Sequence, residues 1–567
     1  MNSETRNCQN CKKDFVIESE DFGFYEKIKV PAPTFCSECR VQRRLSWRND
    51  LSFYNRSCGL CGNKIISLYH PDKPLIVYCN KCWWSDKWDP KSYGKDIDFS
   101  RPFFEQFREL QDKVPLLALF NDNEVGSVNS EYAQNVTFSK NCYMEFVSWY
   151  VEDCMYTFSA GGPETRDVVD SFGIFSYSQI IYDSIFLEHC YNCRNCYLST
   201  GLTDCTFCFD CKGCSNCFMC VNLRQKKYCI LNKQYSKEEY ERILKSYRLD
   251  TRSGSERAKK EFKEFLMQQP HRFANLLNCK NSTGDCLVGC KNVKNSFMAH
   301  ECENIRFLWI GMWLKDSYDI SPGGKSEECY EGLTPDHSYR ELFSIYSLKN
   351  QDVDYVENCH SSKHLFGCSA IKHGQYCILN KEYAKDEYFK LREKLVDHMK
   401  KTGEYGEFFP SAMSNFGYNE TMAQEYFPLS KEEALAQGFK WWDKLQKTTN
   451  KETLKPEQVP DSIHDASDDI LSEVLVCTEC ERNYKIVHNE LNFYKKHSIP
   501  IPSQCFYCRN SARLKFENPF KLWHRICMCD KEHTHHKERC DIEFETHYAP
   551  DRPEIVYCEK CYQQEIY

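Results

Sequence analysis

"CTFCFDCKGCSNCFMC", residues 205–220, places six cysteines at every third position. A straight strand alternates its faces with a period of two, and residues three apart on a helix drift by about 60° per step, so neither element holds these thiols in one row. The chain has to bend again and again. A shift of 21 carries Cys190 to Cys211, Cys193 to Cys214, Cys196 to Cys217 and Cys208 to Cys229. A recurrence near 20 residues, rich in cysteine, asparagine and aromatics, predicts stacked coils, a β-solenoid of the right-handed parallel β-helix kind.

A longer repeat frames it. "YCILNKQYSKEEY" at 228–240 returns as "YCILNKEYAKDEY" at 376–388, and the same offset of 148 takes Cys142 to Cys290, Cys154 to Cys302, Cys211 to Cys359 and Cys220 to Cys368. Cysteine is small, weakly polar and often buried, so stacked thiols can fill a narrow interior. Ser362 stands where Cys214 does and Leu365 where Cys217 does, which favours packing over a further metal cluster, the second reading, or disulfides, the third. The iron–sulfur spacing ending in cysteine–proline is absent. "SKEEY" offers Ser236 as a helix cap with Glu239 three residues on.

The 567 residues suffice for several cored domains, so the 37 cysteines are not there to rescue a small fold. No apolar run reaches membrane length, and "MNSETRNCQN" lacks the apolar core of a signal peptide, so a cytoplasmic protein with no membrane partner is expected. There, CxxC pairs are metal ligands before they are disulfides. A net charge of −8 argues against wholesale coating of nucleic acid.

The two ends repeat one part. Cys8, Cys11, Cys36 and Cys39 recur as Cys477, Cys480, Cys505 and Cys508 at an offset of 469, and "FYEKIKVPAPTFC" aligns without a gap on "FYKKHSIPIPSQC". Two CxxC pairs supply the four thiolates of a closed structural zinc site. A companion set follows each copy: Cys58, Cys61, Cys79 and Cys82, then Cys527, Cys540, Cys558 and Cys561, anchored by "HPDKPLIVYCNKC" and "APDRPEIVYCEKC". The last set is interrupted by ten inserted residues carrying Cys529, His533, His535 and His536, any of which could replace a ligand. About four Zn2+ per chain are expected.

The aromatic "FY" pair before "P..C..CR" resembles zinc-binding treble-clef domains, over roughly 45 residues in each copy. The whole chain resembles a family of cysteine-rich proteins from uncultured bacteria, through "YCILNK.Y..EEY", "GYNET.AQEYFPL" and "PDRPEIVYCEKCY"; that resemblance brings architecture and no activity. The expected fold is mixed and mainly β. Treble-clef-like modules span 1–50 and 475–520, each followed by a zinc ribbon at 51–100 and 521–567. Between them come a helical connector at 101–135, solenoid halves at 136–233 and 276–383 separated by a charged helical insertion at 234–275, a helical segment at 384–445 and an acidic flexible linker at 446–474.

"DISPGGKS", 319–326, ends like a phosphate-binding loop, but Asp319 occupies the place of its first glycine. Four arginines against two acids in 36–50, and five basic residues against one acid in 505–525, offer contacts to phosphates, with Arg43, Arg44 and Arg48 the named candidates. The leading expectation is a non-enzymatic multi-zinc scaffold that presents the solenoid to a macromolecular partner, protein or nucleic acid. A nucleic-acid regulator using the arginines, and an enzyme sited in the solenoid groove or on a cysteine-bound cluster, are the alternatives.

Overall fold

A computed structural model describes residues 2–121, 127–516 and 520–567; the connector expected at 101–135 and the module expected at 475–520 each include a short stretch outside them. The chain is mainly β, with helices between and around its sheets and cysteine-rich groups at both ends and in the centre. No described helix is long and apolar enough to cross a membrane.

The centre consists of parallel strands laid side by side. Tyr191–Thr200 pairs with Thr206–Phe209, which pairs with Ser215–Val221, which pairs with Lys227–Ile230. The partners stand 12 residues apart: Cys196 faces Cys208, Cys208 faces Cys220, and Cys217 faces Cys229. The second half keeps the same spacing, Val353 facing Leu365 and Leu365 facing Cys377. The shift of 21 read from the sequence is therefore not the layer spacing. It is seven triplets, and a cysteine at every third position recurs at any multiple of three.

The triplet has a backbone cause. Asn192, Asn195, Leu198, Gly201, Asp204, Phe207, Asp210, Gly213, Asn216 and Met219 all have φ between 43° and 65°. Each left-handed residue turns the chain, and the next side chain points inward. Asparagine, aspartate and glycine tolerate that conformation, which is why Asn or Asp so often precedes a cysteine here; Leu198, Phe207 and Met219 adopt it at a cost of about 1–2 kcal/mol each. Cys205, Cys208, Cys211 and Cys214 make the inward positions of one 12-residue layer, all within 1% of full burial.

The thiols inside are donors as well as filler. Cys196 Sγ donates to Cys205 O at 3.5 Å, Cys208 Sγ to Cys217 O at 3.7 Å and Cys211 Sγ to Cys220 O at 3.5 Å, tying each layer to the next. A serine does likewise: Ser199 Oγ donates to Tyr197 O at 2.8 Å and accepts from Cys211 N at 3.1 Å. Burial pushes the Cys196, Cys359 and Cys368 thiols well above their ordinary value, which keeps them neutral. Ser362 and Leu365 are as buried as the cysteines they replace.

Each half ends on the repeated "ILNK". Leu231–Asn232 and Leu379–Asn380 have positive φ at both residues, the requirement of a type I′ hairpin turn. The closing strand returns antiparallel, Ile230 facing Lys233 and Ile378 facing Lys381. The asparagine also stands in for a missing strand: Asn232 Oδ1 accepts from Val221 N and its Nδ2 donates to Val221 O, both at 2.9 Å, and Asn380 does the same to Ser369 at 2.8 Å. The edge is thereby closed to further pairing. Ser236 then caps helix Lys237–Ser246 with Glu239 completing the box, as its sequence predicts.

Residues 446–474, expected as a free linker, lie against the protein. Ile463 and Ile470 are buried, Ile463 N donates to Asp250 O at 3.1 Å, and Asp461 accepts from Ser253 N at 3.0 Å. Val459, Ile463 and Ile470, buried among the acids, give this stretch enough apolar area to dock.

Among the described residues, Glu145 and Glu341 are buried carboxyls at inward positions, each following a left-handed residue. Glu341 is fully enclosed, and burial pushes its pKa up to about 7 against hydrogen bonds from Ser344, Asn350 and Ser338. A folded-state pKa raised above the unfolded one gives stability that is complete below the unfolded value of 4.5 and lost as pH rises to about 7. Glu341→Gln removes that dependence. The unfolding free energies of wild type and variant are expected to diverge by about 2 kcal/mol between pH 5.5 and pH 8, in the variant's favour; a pH-independent difference would sink the assignment.

Candidate metal centres

The four sets are built on one local plan. A β-hairpin carries the first two cysteines at its turn: Glu4–Asn7 with Asp14–Ile17, Tyr54–Ser57 with Lys64–Ser67, Leu475–Val476 with Asn483–Tyr484, and Trp523–Ile526 with Glu543–Thr546. The third and fourth cysteines open a helix, in Ser37–Leu45, Asn80–Trp83, Phe506–Phe516 and Glu559–Ile566. In the fourth set the ten-residue insertion separates Cys527 from Cys540 yet leaves both on the flanks of its hairpin.

All sixteen expected cysteines come together, four by four, with the sulfurs of each group within 4.8 Å of one another, and each group could hold a metal ion. Four sulfurs about 2.3 Å from a tetrahedral ion stand about 3.8 Å apart. The sulfurs meet that spacing: Cys11–Cys36 3.8 Å, Cys61–Cys79 4.0 Å, Cys480–Cys505 3.8 Å and Cys540–Cys558 3.9 Å. Backbone amides support the sulfurs, Cys36 N donating to Cys8 Sγ at 3.3 Å, Cys79 N to Cys58 Sγ at 3.2 Å and Cys558 N to Cys527 Sγ at 3.2 Å. The hydrogen bond from Cys39 pulls the Cys36 thiol down to about 5. Burial raises Cys58 and Cys477, but the neighbouring amides outweigh it and bring them to about 6 and about 7. In each of these three groups one thiol is thereby the readiest to ionise, and the thiolate is the form a metal needs.

The insertion of the fourth set forms a group of its own. Cys529, His533, His536 and Cys561 have their ligand atoms within 4.8 Å of one another. His536 Nε2 lies 3.1 Å from Cys561 Sγ; His535 Nε2 lies 3.4 Å from the same sulfur and 3.9 Å from Cys540 Sγ.

The arginines following the second CxxC take a part the sequence reading missed. Arg40, Arg44 and Arg48 are at most 2% exposed and Arg43 is 6% exposed. Arg40 and Arg44 share Asp319, at 2.9 and 3.2 Å; Arg44 and Arg43 reach Glu331 at 2.6 and 3.1 Å; Arg43 also meets Glu407, and Arg48 meets Asp50. The second copy repeats the arrangement on other acids: Arg509 and Arg513 share Asp170 at 2.9 and 3.2 Å, and Arg513 reaches Asp183. Burial opposes the charges of Arg40 and Arg509, but Asp319 and Asp170 more than compensate and hold both well above the ordinary arginine value. These side chains are neither a solvated face nor open to phosphates, which corrects the expectation for Arg43, Arg44 and Arg48. Asp319, first met in a failed phosphate loop, is the anchor of the N-terminal module.

The docking is crossed. The first module sits on the second half of the strand stack, with Phe24 stacked on Tyr318 at 3.9 Å, and the last module sits on the first half, with Tyr494 edge-on to Tyr182 at 6.0 Å. The "FY" pair shared by the two copies is this contact. The strand and helix that carry the fourth set's second CxxC are fixed separately, by pairing of Pro270–Arg272 with Ile555–Tyr557 and by Tyr562 Oη donating to Asp210 at 2.5 Å.

No family model and no curated protein matches the chain. Among solved structures, the crystal structure of a "putative acetyltransferase from Desulfovibrio desulfuricans G20" is 11% identical to it and covers 48% of this chain. The chain spans 66% of that structure's length, just under two thirds, at a TM-score of 0.09, an overlap too slight to bear on fold or chemistry.

Proposed function

We propose that this protein is a non-enzymatic, multi-zinc scaffold. Its central halves form a β-helix-like solenoid, treble-clef-like modules at 1–50 and 475–520 and zinc ribbons at 51–100 and 521–567 lock that solenoid from both sides, and its free faces receive a macromolecular partner. The observation that carries the reading is the set of four tetrathiolate groups at tetrahedral spacing, each on a hairpin and helix start. Zinc suits them because four sulfurs and no open position describe a structural site. The 12-residue register that most of the paired strands keep, widening to 13 or 14 between Phe158 and Ile185, supports the solenoid, since stacked layers make long continuous faces.

Two surface features support the reading. Phe138 and Tyr150, 12 residues apart, stack at 4.5 Å while 47% and 53% exposed. Asn281, Asn292, Asn304 and Asp316 form an amide ladder with links of 3.0, 3.0 and 2.7 Å. Aromatic and amide rows of this kind suit a protein or other extended ligand. The nucleic-acid reading has lost the arginines named for it.

Elemental analysis of protein purified anaerobically without a metal-affinity tag tests the metal half: at least four zinc ions and no stoichiometric iron are expected. Stoichiometric iron would move metal into the central cysteines and reopen a redox function. The scaffold half is tested by a photoreactive side chain at Tyr150, expected to give one discrete cross-linked product in cells; a product indistinguishable from that of a site on an outlying helix would count against it.

A further inference from the structure

We propose that the C-terminal module holds two metal ions rather than one, joined by the Cys561 thiolate. Cys527, Cys540, Cys558 and Cys561 make the site equivalent to the other three; Cys529, His533, His536 and the same Cys561 make a second zinc site of the Cys2His2 kind. The inference rests on the multi-zinc reading above and extends it to a fifth ion.

The two groups meet in one atom. Each is a complete set of four ligand atoms within 4.8 Å, and Cys561 Sγ is the only sulfur they share. The Cys2His2 group depends on the insertion: the companion module runs from Cys58 to Cys61 without it, and it supplies Cys529, His533 and His536. Had the insertion merely exchanged one ligand for another, one cysteine of the original four would stand apart. None does, since Cys540 and Cys558 remain 3.9 Å apart and Cys558 N still donates to Cys527 Sγ.

The insertion is also shaped to present its donors. His533 N donates to His536 O at 2.9 Å and His536 N to His533 O at 3.3 Å, which pins the two residues in a tight antiparallel turn. His536 Nδ1 meets Glu538 O at 2.5 Å, fixing the tautomer that leaves Nε2 unprotonated toward Cys561, 3.1 Å away. With Nδ1 of His533 as the ligand, its Nε2 lies 3.4 Å from Glu565 Oε1, which places beside it a carboxylate of the kind that supports a ligating histidine. Cys529 is fully buried beside the other thiols. Charge favours the pair as well. Four thiolates around one dication leave a net charge near −2, and five thiolates around two dications, with neutral imidazoles, leave about −1 in a buried site.

Zinc content of the full-length protein, reconstituted anaerobically and dialysed, is the test. Five ions per chain are expected for wild type and four for His533→Ala/His536→Ala, with Cys529→Ser also at four and Cys8→Ser/Cys11→Ser losing a different single ion. Zinc-edge X-ray absorption of the wild type should show a zinc–zinc distance of about 3.5–4 Å, absent from the histidine variant. That measurement decides even where a variant loses its whole module. Four ions in wild type with no zinc–zinc scattering would overturn the pair and leave the four-site reading standing. Five ions unchanged by the histidine substitutions would place the fifth elsewhere and overturn it too. Fewer than four would overturn both readings.

Discussion

Chelating the metal from the intact protein is expected to unfold both ends of the chain while the central strands persist. A structural zinc ion contributes on the order of 10–16 kcal/mol to a small module that has little else to fold on, so its removal exceeds any single-residue effect in this molecule. The stack draws on a different source: its inward cysteines donate to backbone carbonyls, and its inward leucines, valines and serines are interchangeable with them. Trp47 and Trp83, buried in the N-terminal modules at 2% and 0% exposure, report the loss through their fluorescence, and far-ultraviolet circular dichroism reports the strands. The tryptophan emission should shift to the red with most of the β signal retained. A collapse of both together would mean that the central thiols also hold metal.

Asp319→Ala is expected to cost about 3–5 kcal/mol, because it leaves the Arg40 and Arg44 guanidiniums in an enclosed site with one carboxylate, Glu331, between them. Asp170→Ala should do the same to Arg509 and Arg513 at the other end. Urea unfolding measures both, and limited proteolysis should show the corresponding module released first. Lys140→Ala, which breaks the exposed pair with Glu152, should leave the midpoint where it is. A loss at Asp319 no larger than that of Lys140 would mean that the arginines find water or another acid, and the docking would have to be ascribed to Phe24, Tyr25 and their aromatic partners alone.

The metal groups were the most legible part of the sequence. CxxC pairs fix their own geometry within four residues, and the gap-free repeat at 469 let the interrupted fourth set be found by counting from both flanks. The β character of the centre was legible, and the spacing between its paired strands was misread. Cysteine at every third position marks each bend, but it cannot mark the layer, because every multiple of three matches. The more informative signal was the residue before each cysteine, so often Asn, Asp or Gly, which reports the left-handed backbone directly.

What stayed hidden depended on partners far along the chain. The arginines of 40–48 look the same in sequence whether they face water, phosphate or buried acids. Asp319 and Asp170 lie in stretches with nothing to mark them as acceptors. The "LN" of the repeated motif recurs in sequence with only its asparagine to hint at the positive φ that both residues take in the hairpin closing each half. The acidic stretch at 446–474 was read from charge, and its few isoleucines decided its position instead.

The crossed docking has a consequence for a chain still on the ribosome. Arg43 and Glu331 are 288 residues apart, so at about 5–20 residues per second the first module waits tens of seconds after its own synthesis for the surface it needs. During that interval it can take up metal but cannot bury its arginines. The first half of the stack waits in turn for the module at 475–520, whose Arg509 and Arg513 pair with Asp170. The first half is incomplete until Arg509 and Arg513 emerge, so a product terminated before them carries an uncompensated buried Asp170 and is marked for proteolysis by its own instability.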